Sequence, residues 1–195
     1  MANSRSALAH EKVLEAAIQL FAERGIDATS MDSICEVSGV SKATLYKHWP
    51  DKDALCMEVL IHLHGLDKKP PAFDSGDTRA DLIAQLSYEP ATDRRERRDR
   101  ILPHLMAYAA AHREFGDQWR MRVVERPRKQ LRKILERGIR DGALSPDTDV
   151  EVGVALLVGP MMYRKIFAAG FGAKLPKDFG RHVVDAFWAR YARYK

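Results

Sequence analysis

The sequence predicts an all-α protein, a small N-terminal helical module followed by a larger helical remainder. Three observations lead there. Apolar residues recur at spacings of three and four along nearly the whole chain, as a helix with one buried face requires. No segment alternates apolar and polar residues as a half-buried strand would. Glycine, proline and capping residues punctuate the chain at helix-length intervals. With 195 residues, 46% of them hydrophobic and 30% charged, the chain is long and apolar enough to bury an ordinary core.

The first helix is expected over Leu8 to Arg24, with Leu8, Val13, Ala16, Ala17, Leu20 and Phe21 on its apolar face and Gly25 as its stop. Thr29 or Ser30 then caps a second, short helix with Met31, Ile34 and Val37 on one face and Asp32 near its positive end. Gly39 closes it in the left-handed conformation, Val40 plugs the angle, and Ser41 caps a third helix, Lys42 to Trp49. Pro50 breaks the chain. Asp51 caps a longer fourth helix carrying Leu55, Val59 and Leu60.

Helix, tight Gly-containing turn, helix is the plan of the helix-turn-helix, whose second helix enters the DNA major groove. On that helix Leu45 and Trp49, four apart, face the core. Lys42, Thr44, Tyr46, Lys47 and His48 then project outward, each able to donate a hydrogen bond to phosphate or a base edge. Ser30, at the start of the preceding helix, is counted with them. For Tyr46, packing between helices is the alternative. Net charge does not argue against this reading. Residues 1–60 carry six basic and nine acidic side chains, yet no acid lies between Gly39 and Trp49. Residues 93–140 carry fifteen basic and seven acidic side chains, and the run "RRERRDR" from Arg94 to Arg100 reads as a solvated helix face.

The stretch "VLEAAIQLFAERGIDATSMDSICEVSGVSKATLYKHWPDKDAL" resembles the DNA-binding domain of TetR-type (TetR/AcrR) transcriptional regulators. Cap, turn glycine, "TLY", His48 with an aromatic after it and Lys52 all stand at that family's spacing. Cys35 stands where the family often has Ala, and Ala43 where Gly is frequent. The resemblance implies that Thr44, Tyr46 and His48 contact DNA from the recognition helix and that Lys52 binds phosphate at the start of helix four. It divides the chain into a helix-turn-helix DNA-binding domain, residues 1–55, with the helix from 51 as the link, and a helical regulatory, ligand-binding and dimerisation domain, residues 56–195.

In that larger part, "DKKPPAFDSGDTR" is a loop by its Pro, Gly and Asp content. Helices are expected at Arg79–Ser87, Arg94–Arg113, Phe115–Val124, Arg128–Asp141, Asp149–Ala169 and Lys177–Tyr194, with "DGALSPDTD" as a turn. The stretch "LRKILERGIRDGALSPDTDVEVGVALLVGPMMYRKIF" is similar to a C-terminal subtype of the family. A two-fold dimer doubles the contacts of one recognition helix on a pseudo-palindrome. The expected interface is the last two helices, through Val152, Leu156, Gly159, Met162, Tyr163, Phe167, Val183, Phe187 and Tyr191; the alternative is that these residues form the intramolecular core. Met106, Tyr108, His112, Phe115, Trp119 and Met121 are candidates to line an effector pocket, with plain core packing as the alternative.

Other classes find no support. The chain has no HExxH, GxSxG, Gly-rich phosphate loop or CxxC pair, so no enzyme, metal or cofactor site is expected. His62 and His64, two apart on a helix, cannot converge on one ion, and His104 and His112 lack nearby Cys. "RRERRDR" has no interleaved aromatics, which a single-strand binder needs. Cys35 and Cys56 are too few for a disulfide framework and read as buried thiols. The longest uncharged stretch, Val152 to Tyr163, falls short of the ~20 residues of a membrane span, and the N-terminus lacks a secretory core, so a cytoplasmic location is expected. Together with the helix-turn-helix, the resemblance to the family implies a homodimeric regulator, a repressor by the family's usual sign, that binds a pseudo-palindromic duplex operator and is released by a small-molecule effector.

Overall fold

Side-chain caps set where five of the helices begin. The computed structural model describes residues 2–67, 71–89, 91–168 and 171–193, and among them no β-strand is present. Helix α1 spans Ala2–Arg24, and Gly25 ends it with φ 85°. Ser30, not Thr29, caps α2 (Met31–Ser38): its side chain accepts from Ser33 N, and the Ser33 side chain returns the bond to the Ser30 backbone. Thr29 is buried and donates to the Gly25 carbonyl at 2.7 Å instead. Gly39 closes α2 at φ 67°, its N–H on Cys35 O at 2.9 Å. Ser41 caps α3 (Lys42–His48), and Asp51 caps α4 (Lys52–Leu63), accepting from Ala54 N at 2.7 Å.

The later helices are α5 (Thr78–Ser87), α6 (Thr92–Ala111), α7 (Arg113–Trp119), α8 (Glu125–Arg140), α9 (Val150–Ile166) and α10 (Phe179–Tyr191). The expected ends at Ala169 and Tyr194, and loop residues Lys68, Lys69 and Pro70, lie outside the described residues. One boundary differs from expectation. Instead of breaking near residue 125, the backbone passes from α7 through a π-helical turn, Arg120–Val124, into α8. Pro127, which has no N–H to give to the preceding turn, sits just after this widened stretch.

The chain forms two compact units, Met1–Lys68 with Pro90–Val123, and Lys69–Glu89 with Val124–Lys195. They do not follow a single cut at residue 55, because α6 packs on α1 and α4 and so joins the N-terminal helices. In the first unit Ala17, Leu20 and Phe21 of α1 meet Ile34 of α2, Leu45 of α3 and Leu55, Val59 and Leu63 of α4, each at most 1% exposed. Leu8 and Val37 were expected on apolar faces but are 55% and 46% exposed. They border an open groove of about 750 Å³ that no side chain fills, together with Lys12, Arg97 and Arg100.

In the second unit Leu82, Leu131, Leu135, Val154, Leu157, Val184 and Phe187 form one core. Two features set its packing. Gly138 of α8 has no room for a side chain: a Cβ there would lie 2.6 Å from Thr78 Cγ2 and 2.9 Å from Leu144 Cδ1. Asp81, buried on α5, accepts from Ser75 N at 3.1 Å, from Ser75 Oγ at 2.8 Å and from the Arg137 guanidinium. Burial alone would push its carboxyl upward, but the Ser75 and Arg137 hydrogen bonds outweigh it and hold the group below the ordinary aspartate range.

Candidate nucleic-acid interface

Helix α3 has only seven residues, too few to be stable alone, so the rest of the first unit must hold it. Leu45 and Trp49 do so at 0% and 2% exposure. Their burial turns Lys42, Tyr46 and Lys47 outward, with Tyr46 47% exposed. The alternative of Tyr46 packed between helices therefore does not hold. Thr44 and His48 are half-buried at the margins of the same face. The Thr44 hydroxyl lies 3.0 Å from that of the cap residue Ser41, and its own N–H reaches Ser41 Oγ at 3.3 Å. Ser30 is exposed but already occupied in the capping box of α2.

Electrostatics on this face are more mixed than residues 39–49 suggest. Lys42 Nζ lies 2.8 Å from Asp32 of α2, and this hydrogen bond and charge hold the ammonium above the ordinary lysine range. Lys42 can meet a phosphate by sharing its protons with Asp32. Lys47 is exposed at the C-terminal end of the helix, and Tyr46 offers a ring and a hydroxyl. The surface can thus place cations on a phosphate backbone and aim an aromatic side chain and hydroxyls at base edges. Beneath it, Cys35 is half-buried and Cys56 fully buried; neither is in a disulfide. Burial, with Asp32 adding to it at Cys35 and Asp53 at Cys56, pushes both thiols upward, away from the reactive thiolate.

Lys52 begins α4, where the sequence places it, but its side chain already has partners within the unit. Its Nζ donates to the carbonyls of Ile26 and Asp27 at 2.7 and 3.2 Å and lies 5.4 Å from the centre of the Tyr108 ring. Two of its three protons are thus given to the turn between α1 and α2. Tyr108, proposed from sequence for an effector pocket, is 4% exposed and donates to Asp53 Oδ1 at 2.6 Å. Burial and this bond push its phenol upward. His112, from the same set, lies 3.1 Å from Asp27 Oδ1 and 4.0 Å, centre to centre, from the Tyr108 ring. So α6 and α4 together clasp the α1–α2 turn.

The remaining pocket candidates do not converge. Phe115 is buried and packs edge-on against Tyr108 at 5.1 Å, Trp119 is half-buried, and Met106 and Met121 are 40% and 74% exposed. None of the six lines the groove beside Leu8 or the groove of about 380 Å³ bounded by Phe73, Ile134 and Arg137. The physical reason is that α6 spends its apolar and aromatic face on the first unit's own core. Among the dimer candidates, Val183 and Phe187 are 8% and 5% exposed and belong to the second unit's core, while Tyr191 stacks on Phe187 at 4.7 Å. Val152, Leu156, Tyr163 and Phe167 are 47%, 47%, 42% and 51% exposed along one side of α9, with Gly159 also exposed and Met162 half-buried.

Sequence reasoning missed Glu58 and His10. Glu58 of α4 receives the Trp49 indole N–H at 2.7 Å and lies 2.7 Å from His10 Nε2 of α1. Neither residue has a local signal, because they are 48 positions apart and meet only when three helices pack.

No described helix is long and apolar enough to cross a membrane. The family described as "Bacterial regulatory proteins, tetR family" matches residues 13–59, and "Tetracyclin repressor-like, C-terminal domain" matches residues 72–187. The HTH-type transcriptional regulator YdeS of Bacillus subtilis is 32% identical over 175 residues, covering 90% of this chain and 85% of that protein. The HTH-type transcriptional repressor KstR2 of Rhodococcus jostii is 31% identical over 153 residues, covering 75% of this chain and 72% of its own. A crystal structure of a TetR-family regulator from Mesorhizobium loti shares the fold, with a TM-score of 0.65 at 22% identity over 97% of this chain and 99% of the other. A capped helix-turn-helix with a basic outward face, carried on an all-helical chain that these comparisons match along most of its length, makes this protein a member of the TetR family of DNA-binding transcriptional regulators.

Proposed function

We propose that this protein binds a pseudo-palindromic duplex operator as a homodimer, represses transcription from it, and is released by a small-molecule effector. The observation that carries the DNA-binding part is the orientation of α3, whose buried Leu45 and Trp49 leave Lys42, Tyr46 and Lys47 facing outward. Thr44 and His48 flank them, and Ser30 supports the face as the cap of α2. Relatives named repressors support the sign of regulation.

The homodimer is supported by the exposed apolar side of α9, where Val152, Leu156, Tyr163 and Phe167 recur at helical spacing. A second copy of the same face would cover them about a two-fold axis. Val183 and Phe187, buried within one chain, serve the interface by holding α10 rather than by touching the partner. The effector, by this reading, acts through differential affinity for two states of the regulator. It does so from a site other than one common pocket of Met106, Tyr108, His112, Phe115, Trp119 and Met121.

The test is selection of bound duplexes from a random pool, followed by mobility shifts on the enriched duplex and on its separated strands. Enrichment of an inverted repeat, bound as duplex only, is the expected result. A chain that enriches nothing, or that prefers single strands, overturns the reading. Placing the enriched duplex at a promoter in a reporter assay then tests repression by its sign.

A further inference from the structure

We propose that Glu58, outside the DNA-facing surface, is a positioning residue that sets the rotation of the recognition helix by bridging Trp49 and His10. The inference rests on the reading of α3 as the duplex-reading helix. Because α3 is so short, its rotation about its own axis is decided by what grips its buried side. Leu45 is a symmetric apolar anchor and permits some turning. Trp49 does not, since its indole N–H is a directional donor in a 2%-exposed setting and must find an acceptor.

That acceptor is Glu58 Oε2, at 2.7 Å. The other carboxylate oxygen lies 2.7 Å from His10 Nε2, and the His10 ring lies against the Trp49 ring at 4.7 Å with a tilt of 33°. One carboxylate therefore ties α1, the end of α3 and α4 into a closed triangle. His48 completes it on the DNA side, edge-on to His10 at 5.7 Å and with Nε2 3.4 Å from Ser6 Oγ. Both Glu58 oxygens are engaged, so the group is spent on geometry rather than on contact with DNA.

A device of this kind has a signature that a stabilising contact lacks. Base-edge hydrogen bonds need α3 at one rotation, whereas phosphate contacts by Lys47 or Lys42 tolerate a range. Loss of the bridge should therefore reduce discrimination between sequences and leave general duplex affinity in place. Gln can replace Glu at the indole, because its amide oxygen accepts the same hydrogen bond.

The experiment uses the full chain and the duplex that the wild type enriches from a random pool, beside an unrelated duplex of equal length. Glu58→Ala is expected to weaken binding to the enriched duplex about tenfold, the scale of one charge-assisted hydrogen bond. Its affinity for the unrelated duplex should stay within about twofold, as expected when the phosphate contacts persist. Glu58→Gln should recover most of the loss. Trp49→Phe, which keeps the ring and removes the donor, should mimic Glu58→Ala, and the double variant should be no worse than either alone. Wild-type affinity in Glu58→Ala and Trp49→Phe overturns the proposal, as does a parallel loss on both duplexes or a Glu58→Gln no better than Glu58→Ala. A wild type that enriches no duplex overturns the reading of α3 itself, and Glu58's role with it.

Discussion

At the scale of single residues, Tyr46 and Lys52 separate two kinds of work that one motif can hide. Tyr46 is exposed and, among the described residues, makes no hydrogen bond or ion pair that its loss would break, so Tyr46→Ala should weaken binding to the enriched duplex about tenfold while melting temperature and helix content stay as in the wild type. Lys52 instead satisfies the carbonyls of Ile26 and Asp27. Lys52→Met should destabilise the chain by about 1–2 kcal/mol, because the buried Ile26 carbonyl loses a charged donor. The slope of log affinity against log salt should change less than in Lys47→Ala, where one phosphate contact per half-site is removed. A Lys52→Met protein with wild-type stability and a reduced slope would return Lys52 to the phosphate backbone. Asp81 adds a pH-dependent case. Its carboxyl is held below the usual range when folded, so its contribution is present above the unfolded value of about 3.9 and fades as pH falls through the lower folded value. Asp81→Asn should lower thermal stability at pH 7 and narrow its gap to the wild type under strongly acid conditions, as melting curves across pH would record.

At the scale of elements, the fit of α8 against α5 hangs on one missing side chain. In an exposed helix Gly→Ala stabilises by about 1 kcal/mol. At Gly138 the new methyl would press on Thr78 and Leu144, both within 3 Å, and overpacking of that kind costs about 1–3 kcal/mol. Gly138→Ala should therefore lower the melting temperature despite its better helix propensity, and a rise would mean that α5 and the Leu144 turn yield easily. The same logic of close packing explains why α6 belongs with α1 and α4. Ile101 and Leu105 at 1% exposure and Tyr108 at 4% leave that face no spare surface for an effector.

For the whole molecule, assembly and internal packing use different faces of the last two helices. Phe167→Glu puts a charge on the exposed side of α9 and should yield folded monomers in sedimentation velocity, with loss of duplex binding. Phe187→Ala empties part of the second unit's core and should cost about 3–5 kcal/mol of stability. A Phe167→Glu chain that remains dimeric would move the interface off α9. Truncation follows the compact units as well: a fragment starting at Leu66 keeps α6 without α1 and α4 and exposes its apolar face, so it should aggregate more than the full chain in light scattering.

The sequence by itself determined the run of helices, the caps at Ser41 and Asp51, the turn at Gly39 and the outward Lys42, Tyr46 and Lys47 of α3, because each depends on neighbours within a few positions; only the structure chose Ser30 over Thr29 as the cap of α2. Such information is local: a cap needs its N–H three residues on, and a helix face needs only its period. What the tertiary structure alone decided were partners distant in the chain. Lys52 and Tyr108 carry sequence signals compatible with phosphate or ligand, yet they meet across 56 positions beside one turn. Val183 and Phe187 show the same helical spacing as Tyr163 and Phe167, and only packing tells an inward stripe from an outward one. Glu58 left no trace in the sequence, since its meaning lies in a hydrogen bond from Trp49 and a close contact with His10, both on other helical segments. Periodicity reports that a face is apolar, and burial depends on which surface arrives to cover it.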